Sequence, residues 1–345
     1  MNLRDSMNSA LLLTGLVVAA AITFDFVNGF HDAANSIATI VATRILKPWQ
    51  AVLWAAFFNF IALFLFGTGV AQTVGSGMVA LETVTSTVIL AGLIGAIAWG
   101  LITWLFGLPT SSSHALLGGY AGAAMTNSVL LHGWGAIADP IIASGWERTI
   151  LFIIIAPALG LLLALMLMKL TAALVPKNRS PAANRWFGRL QLVSSAFLSL
   201  MHGSNDAQKT AGIIAGALVA GKFFDHFTIP FWVLAVSYST MGLGTLAGGW
   251  RIVNTIGRKL TRLKPASGFC AETAAGVSIL IATLLHLPVS TTHATTGAIL
   301  GVGAARRLKS VRWNLAGTIA WAWVLTIPAA AFLGALAMGI AYLIG

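Results

Sequence analysis

The chain has 345 residues, 58% of them hydrophobic and 8% charged, which excludes an ordinary soluble domain and points to lipid as its solvent. A formal net charge of +11 raises the question of a nucleic-acid partner, but the cations fall in short loops between apolar spans and report topology instead. The single cysteine, Cys270, excludes an internal disulfide and a cysteine-based metal cluster, and reads as a small buried side chain.

The first apolar segment starts at Leu11 behind one basic residue, Arg4, and runs into a polar motif rather than a small-residue cleavage site. This predicts a retained helix, not a signal peptide. Residues 51–70, 88–107, 149–175, 230–249 and 315–344 are each apolar over the roughly 20 helical residues that a bilayer crossing takes. Unpaired peptide groups are costly in lipid, so these spans are expected to be helical; they lack the period-2 alternation of barrel strands. The cations cluster in three loops: Lys177, Arg179, Arg185 and Arg189; Arg251, Arg258, Lys259, Arg262 and Lys264; and Arg306, Arg307, Lys309 and Arg312. The positive-inside rule assigns all three to the cytoplasm. Traced backward, residues 149–175 enter from outside, residues 88–127 enter and return to the outside, and residues 51–70 run outward from a cytoplasmic turn at Arg44 and Lys47. The amino terminus is therefore expected outside.

The segment NGFHDAANS at 28–36 recurs as HGSNDAQKT at 202–210, and LPTSSSHALLGG at 108–119 recurs as LPVSTTHATTGA at 287–298. The separations are 174 and 179 residues, so the copies are collinear. By the loop charges, the first Asp motif runs inward and the second outward. The expected fold is an all-α polytopic membrane protein of two inverted-topology repeats, with discontinuous helices and re-entrant hairpins. Residues 1–175 form the N-terminal repeat, 176–190 a cytoplasmic basic linker and 191–345 the inverted C-terminal repeat. Inverted repeats with matching polar interruptions are the signature of secondary transporters, whose site lies near the midplane.

Each Asp motif sets a Gly, an Asp and small polar residues inside an apolar run: Gly29, Asp32, Asn35 and Ser36, then Gly203, Asn205, Asp206 and Thr210. The pattern predicts a helix broken at the motif, whose freed carbonyls take a cation and whose freed amides take an anion, with the Asp as charge or proton acceptor. An intramembrane carboxylate is costly without a partner, which favours function over packing for Asp32 and Asp206. Asp25, two turns before Asp32 on a similar face, is a further coupling-ion candidate or else a satisfied polar group. Glu272, at the start of an apolar run, is a weaker one, and Glu82 reads as interfacial.

Ser111, Ser112 and Ser113, and again Ser290, Thr291 and Thr292, precede Gly-rich helices. They fit the tip of a re-entrant hairpin, where hydroxyls and free amides suit a tetrahedral oxyanion. One such run is more often packing or backbone bonding; two matched runs favour a ligand site. His114 and His293 end the runs and read as hydrogen-bonded structural residues or as a proton relay. The 12 Trp residues, Trp313, Trp321 and Trp323 among them, read as interface anchors and packing.

At these four motifs the chain resembles the PiT family of inorganic phosphate transporters, whose signature is a duplicated Gly-x-Asn-Asp-x-x-Asn element, and the resemblance covers nearly the whole chain. It implies a polytopic helical protein of the cell inner membrane, commonly a homodimer, carrying inorganic phosphate with a coupling cation. It also implies phosphate contact for Ser111, Ser112, Ser113, Ser290, Thr291 and Thr292, and ion or substrate ligation for Asp32, Asn35, Asp206 and Asn205. Two positions depart from the signature: His31 replaces its first Asn, and Lys209 stands in the second copy where Asn35 stands in the first.

Lys209 follows Asp206 by three residues, on nearly the same helical face. Its ammonium either partly neutralises Asp206, repels sodium and meets phosphate, or snorkels to an interface. The run Asp-Ala-Gln-Lys is similar to short bacterial members regarded as proton-coupled, some of which take up phosphate as a neutral complex with a divalent metal. The resulting expectation is a secondary active importer of inorganic phosphate by cation symport, with the proton preferred to sodium and no cofactor or nucleic acid. The alternatives are a sodium-phosphate symporter or a sulfate permease of the same fold. An intramembrane aspartyl protease also pairs two Asp residues but has no need of duplicated hydroxyl runs. A passive anion channel would set bare carboxylates against its own cargo.

Overall fold

The computed structural model describes residues 3–175 and 180–344, with side chains from residue 11 onward. Its helices in chain order are α1 (Leu3–Ala42), α2 (Pro48–Ile61), α3 (Gly69–Ser76), α4 (Ser86–Phe106), α5 (Ser112–His132) and α6 (Ala143–Leu174). The second half repeats the order as α7 (Pro181–Ala220), α8 (Phe231–Ala247), α9 (Trp250–Asn254), α10 (Pro265–Leu284), α11 (Thr291–Arg306) and α12 (Trp313–Ile344). Lys177 and Arg179 of the expected linker lie outside the described residues. Arg185 and Arg189 belong to α7, which Ser180 caps by accepting from Ala183 N at 3.1 Å.

Residues 11–42 of α1, together with α4, α6, α10 and α12, are long and apolar enough to cross a membrane. Two bent pairs bring the total to as many as seven: α2 with α3 at 85°, and α8 with residues 250–259 at 61°. Residues 255–259 form a π-turn, so Arg251, Arg258 and Lys259 stand on helical backbone rather than in the expected loop. Large apolar side chains such as Ile154 and Phe332 face outward, whereas Asp25, Asp32, Asp206, Lys209 and Glu272 are buried.

The Asp motifs do not break their helices. Residues 28–36 lie inside α1 and residues 202–210 inside α7, each an unbroken run of 40 residues. The motif glycines serve close approach instead: a Cβ on Gly29 would come within 3.1 Å of Gly244 Cα, and one on Gly203 within 2.7 Å of Asn59 Cα. Only Gly lets the backbone of α1 reach α8, and that of α7 reach α2, at this separation. The discontinuities fall at the bent pairs and at two hairpin tips.

Helices α4 and α5 form one hairpin, α10 and α11 the other. Gly107 ends α4 in the left-handed region at φ 65°, and Pro109 lacks the N–H that would continue the helix. Each tip is held by the bent pair of the opposite half: Thr255 Oγ1 donates to Gly107 O at 2.9 Å, and Thr73 Oγ1 to His286 O at 2.7 Å. Each outgoing helix packs on the last helix of the opposite half. Gly118 and Gly122 bring α5 against the α12 backbone, and Gly297 and Gly301 bring α11 against that of α6.

Helices α1 and α7 lie antiparallel. Thr210 Oγ1 donates to Asp25 Oδ1 at 2.8 Å, Ser36 Oγ lies 3.3 Å from His202 Nδ1, and Thr43 Oγ1 donates to Gln191 Oε1 at 2.9 Å. The two Asp motifs therefore meet where these helices cross, between the hairpin tips.

Candidate functional site

Asp32 takes three contacts. Ser112 Oγ donates to Oδ2 at 2.6 Å, His31 Nδ1 lies 2.8 Å from Oδ1, and Thr292 Oγ1 donates to Oδ1 at 3.4 Å. Asp206 is matched to it: Thr291 Oγ1 donates to Oδ2 at 3.0 Å, His202 Nε2 lies 3.1 Å away, and the Lys209 ammonium pairs with Oδ1. Each carboxylate thus receives a hydroxyl from the hairpin of its own half. Asn35 and Lys209 also reach across to the hydroxyl run of the opposite half. Asn35 Nδ2 donates to Thr291 Oγ1 at 3.2 Å and Thr292 Oγ1 at 2.9 Å, while Lys209 donates to Ser113 and, at 2.7 Å, to Val289 O. Lys209 is therefore buried against Asp206, and the snorkelling alternative is discarded.

Ser111 and Ser290 have a local task. Each Oγ caps its helix, Ser111 accepting from His114 N and Ser290 from His293 N, both at 3.1 Å. The next two residues in each run stand in the first turn of α5 and α11: Ser112 and Thr292 donate to Asp32, Thr291 to Asp206, and Ser113 to Val289 O at 3.0 Å. Ser111 and Ser112 also border a small cavity with Asn28 and His31.

Asn205 faces the second hairpin rather than the carboxylates. Its Nδ2 donates to Thr283 Oγ1 and Leu287 O, both at 3.0 Å, and its Oδ1 accepts from Val289 N at 3.2 Å. His31 occupies the matching station and sets Nε2 3.2 Å from Thr103 Oγ1 on the first hairpin. Both residues clamp a hairpin, which explains how an imidazole stands where the signature has an amide.

The remaining candidates have no hydrogen bond to Asp32 or Asp206 among the described residues. Asp25 accepts from Thr210 Oγ1, two turns along α1 from Asp32 and near enough to Asp206 for the two charges to interact. Glu272 sits in its own buried cluster, accepting from Thr39 Oγ1 at 2.5 Å, Gln191 Nε2 at 2.9 Å and Ser194 Oγ at 2.5 Å. His114 and His293 meet edge to face at 4.8 Å, and His293 stacks on Trp323 at 3.9 Å. Ring contacts, not bonds to a carboxylate, are what the structure gives this pair. Trp323 is accordingly a packing residue behind the site, while Trp313 and Trp321 are exposed. Cys270 is buried against Thr171.

One residue escaped the sequence reading. His202 places Nε2 beside Asp206, and one ligand atom from each of Asp32, His202 and Asp206 falls within 4.8 Å of the others. Its i, i+4 spacing to Asp206 was the available signal.

Buried carboxylates, hydroxyls and an ammonium gathered between two hairpin tips, inside a body whose exterior is apolar, define a membrane transporter rather than an enzyme. The phosphate transporter family model matches residues 28–186 and again 175–334, and the chain belongs to that family. It is 51% identical over 326 residues to a "Probable low-affinity inorganic phosphate transporter" of Rhizobium meliloti (strain 1021), covering 94% of this chain and 95% of that one. It is 42% identical over 334 residues to a protein of the same description from Bacillus subtilis (strain 168), covering 96% and 98%. The structure described as "The sodium-dependent phosphate transporter" shares the fold, with a TM-score of 0.84 over 97% of this chain and all of the other at 24% identity. The aspartyl protease alternative is thereby removed.

Proposed function

We propose that the chain is a secondary active importer of inorganic phosphate that couples uptake to protons, built from two inverted repeats with its basic loops in the cytoplasm. The observation that carries the coupling is Lys209, whose ammonium is bonded to Asp206, Ser113 and Val289 O at the station that Asn35 fills in the first half. With the histidines neutral, Asp32, Asp206 and Lys209 sum to one negative charge. One carboxylate oxygen of Asp32 and one of Asp206 lie within 4.8 Å of each other, and two like unit charges at that separation repel by about 3–4 kcal/mol at an effective dielectric of about 20. An incoming phosphate anion adds to that repulsion unless a cation travels with it, which supports symport. A proton on Asp32 or His202 meets the need; a sodium ion would have to share Asp206 with the ammonium already there.

The second reading is sodium coupling. It is favoured by the convergence of Asp32, His202 and Asp206 and by the description of the structural neighbour as sodium-dependent. Uptake of labelled phosphate into proteoliposomes, with an imposed pH gradient and with or without sodium, separates the two. Proton coupling predicts uptake driven by the pH gradient without sodium, and a gain of sodium dependence in Lys209→Asn. Strict sodium dependence of the wild type with no response to the pH gradient overturns it. Competition by sulfate in the same assay tests the oxyanion: inhibition by sulfate but not by arsenate would overturn phosphate as the cargo.

A further inference from the structure

The basic loops do more than mark a membrane side, because they converge. Between the end of α6, the segment after α9 and the junction of α11 with α12 lies an open basin of about 900 Å3. Arg258, Lys259, Arg262, Arg307, Lys309 and Arg312 are among its nine Lys and Arg lining residues, and none of the described lining residues is acidic. The sequence holds no Asp or Glu from 226 to 271 or from 273 to 345, and Glu272 is taken up by Thr39, Gln191 and Ser194.

The positive-inside rule explains why these loops are basic, but not why they are tied together. Arg312 N donates to Leu260 O at 3.1 Å, Thr261 Oγ1 to Ser310 O at 3.1 Å, and Arg306 Nη1 to Arg262 O at 2.8 Å. Leu260, Thr261 and Val311 are buried beneath the basin. The π-turn at 255–259 sets Arg258 and Lys259 together on its rim, a local irregularity that tends to mark functional sites. These bonds hold like charges side by side against their mutual repulsion, an arrangement that an anion in the basin relieves.

We propose that this basin is a second anion site, separate from the transport site, that binds phosphate groups presenting several negative charges together: clustered headgroups of anionic phospholipids or a soluble polyphosphate. Its volume falls in the range of pockets for ligands far larger than one tetrahedral oxyanion, and Arg-rich linings suit several phosphate oxygens at once. Basic pockets between membrane helices on the cytoplasmic side are also where acidic lipid headgroups bind. None of its lining residues contacts Asp32 or Asp206. The link to transport is α11, which carries Thr291 and Thr292 at its start and Arg306 at its end, about 24 Å away by its 16 residues.

The test uses the purified full-length chain in detergent and in nanodiscs. The probes are inorganic tripolyphosphate and inorganic phosphate at matched ionic strength, and phosphatidylglycerol against phosphatidylcholine. The variants are R258Q/R262Q/R312Q, the charge-conserving R258K/R262K/R312K, and the single change R258Q, which keeps the test usable if the triple change misfolds. The basin predicts that tripolyphosphate binds at least roughly tenfold more tightly than phosphate, or that phosphatidylglycerol is retained through purification. The Gln triple should lose that binding roughly tenfold or more, R258Q in part, and the Lys triple should keep most of it. Displacement of tripolyphosphate by phosphatidylglycerol nanodiscs assigns the headgroup; tripolyphosphate binding indifferent to lipid assigns the soluble ligand. Equal binding of tripolyphosphate and phosphate with no lipid preference, or binding unchanged in the Gln variants, overturns the site.

Discussion

Lys209 puts a full positive charge where the first half of the chain has the neutral Asn35, and its partners make it the most exposed point of the design to mutation. Removing one member of a buried ion pair leaves the other uncompensated, at a cost of about 3–5 kcal/mol. Lys209→Met should therefore lower thermal stability in detergent markedly, and adding Asp206→Asn should restore most of it; additive losses in the double variant would show that the pair is not coupled. Asp32→Asn and Asp206→Asn each keep volume while removing charge, and each should abolish phosphate uptake with protein still inserted. Wild-type rates in either would remove that carboxylate from the coupling. The hydroxyl runs divide into two tasks. Ser112→Ala or Thr291→Ala should weaken phosphate affinity about tenfold to a hundredfold, the worth of a hydrogen bond to a charged group at about 1.5–3 kcal/mol. Ser111→Ala should instead cost about 1 kcal/mol of stability through the lost cap, with affinity nearly unchanged. The carboxylates and hydroxyls were legible in the sequence because their duplication separates them from ordinary polar residues in membrane helices. The clamps at Asn205 and His31 were not, since which way those side chains turn depends on a hairpin about 70 to 80 residues away in the chain.

At the scale of elements, glycine was the residue most open to misreading. Gly29 and Gly203 beside polar residues suggested broken helices, yet both lie in continuous helix and serve contact with α8 and α2. A glycine weakens a helix by only about 1 kcal/mol, and close packing over a long span offsets that readily. The hairpins were legible, because Pro109 and Pro288 each stand just ahead of a hydroxyl run that supplies a cap. The pairs Gly118 with Gly122 and Gly297 with Gly301 carry the small-residue spacing of packed membrane helices, and it is here that each hairpin meets the opposite half. Adding volume there forces α11 off α6. Gly297→Val should destabilise by about 1–3 kcal/mol or more, seen as a fall in unfolding temperature, and should reduce uptake by moving Thr291 and Thr292. Gly317, which has open space around its Cα, is the control: Gly317→Ala should be neutral in both assays. Full stability in Gly297→Val would mean that this contact does not seat the hairpin.

For the whole molecule, the assignment with the largest consequence is which face looks into the cell, since it decides the direction from which phosphate would reach the paired carboxylates. The charge count is one-sided: the loops after α9 and α11 hold Arg262, Lys264, Arg307 and Lys309 without an acidic residue, while the α5–α6 connection carries Asp139 and the start of α6 carries Glu147 and Arg148. The basin shows that the two basic loops share one face. Both facts fit a cytoplasmic basic face and an amino terminus outside. The chain is suited to a direct test because its single cysteine, Cys270, is fully buried and should be silent to a water-soluble maleimide. Asp139→Cys, in an exposed loop, should react with a membrane-impermeant maleimide on intact cells; Lys309→Cys, also exposed, should react only after the membrane is opened. The converse pattern would reverse the proposed orientation and put the basic basin outside, where it would meet external phosphate rather than cytoplasmic polyanions. Labelling of both positions on intact cells would instead mean that the two faces are not separated by the membrane as drawn, and the assignment of α6 as a complete crossing would fall with it.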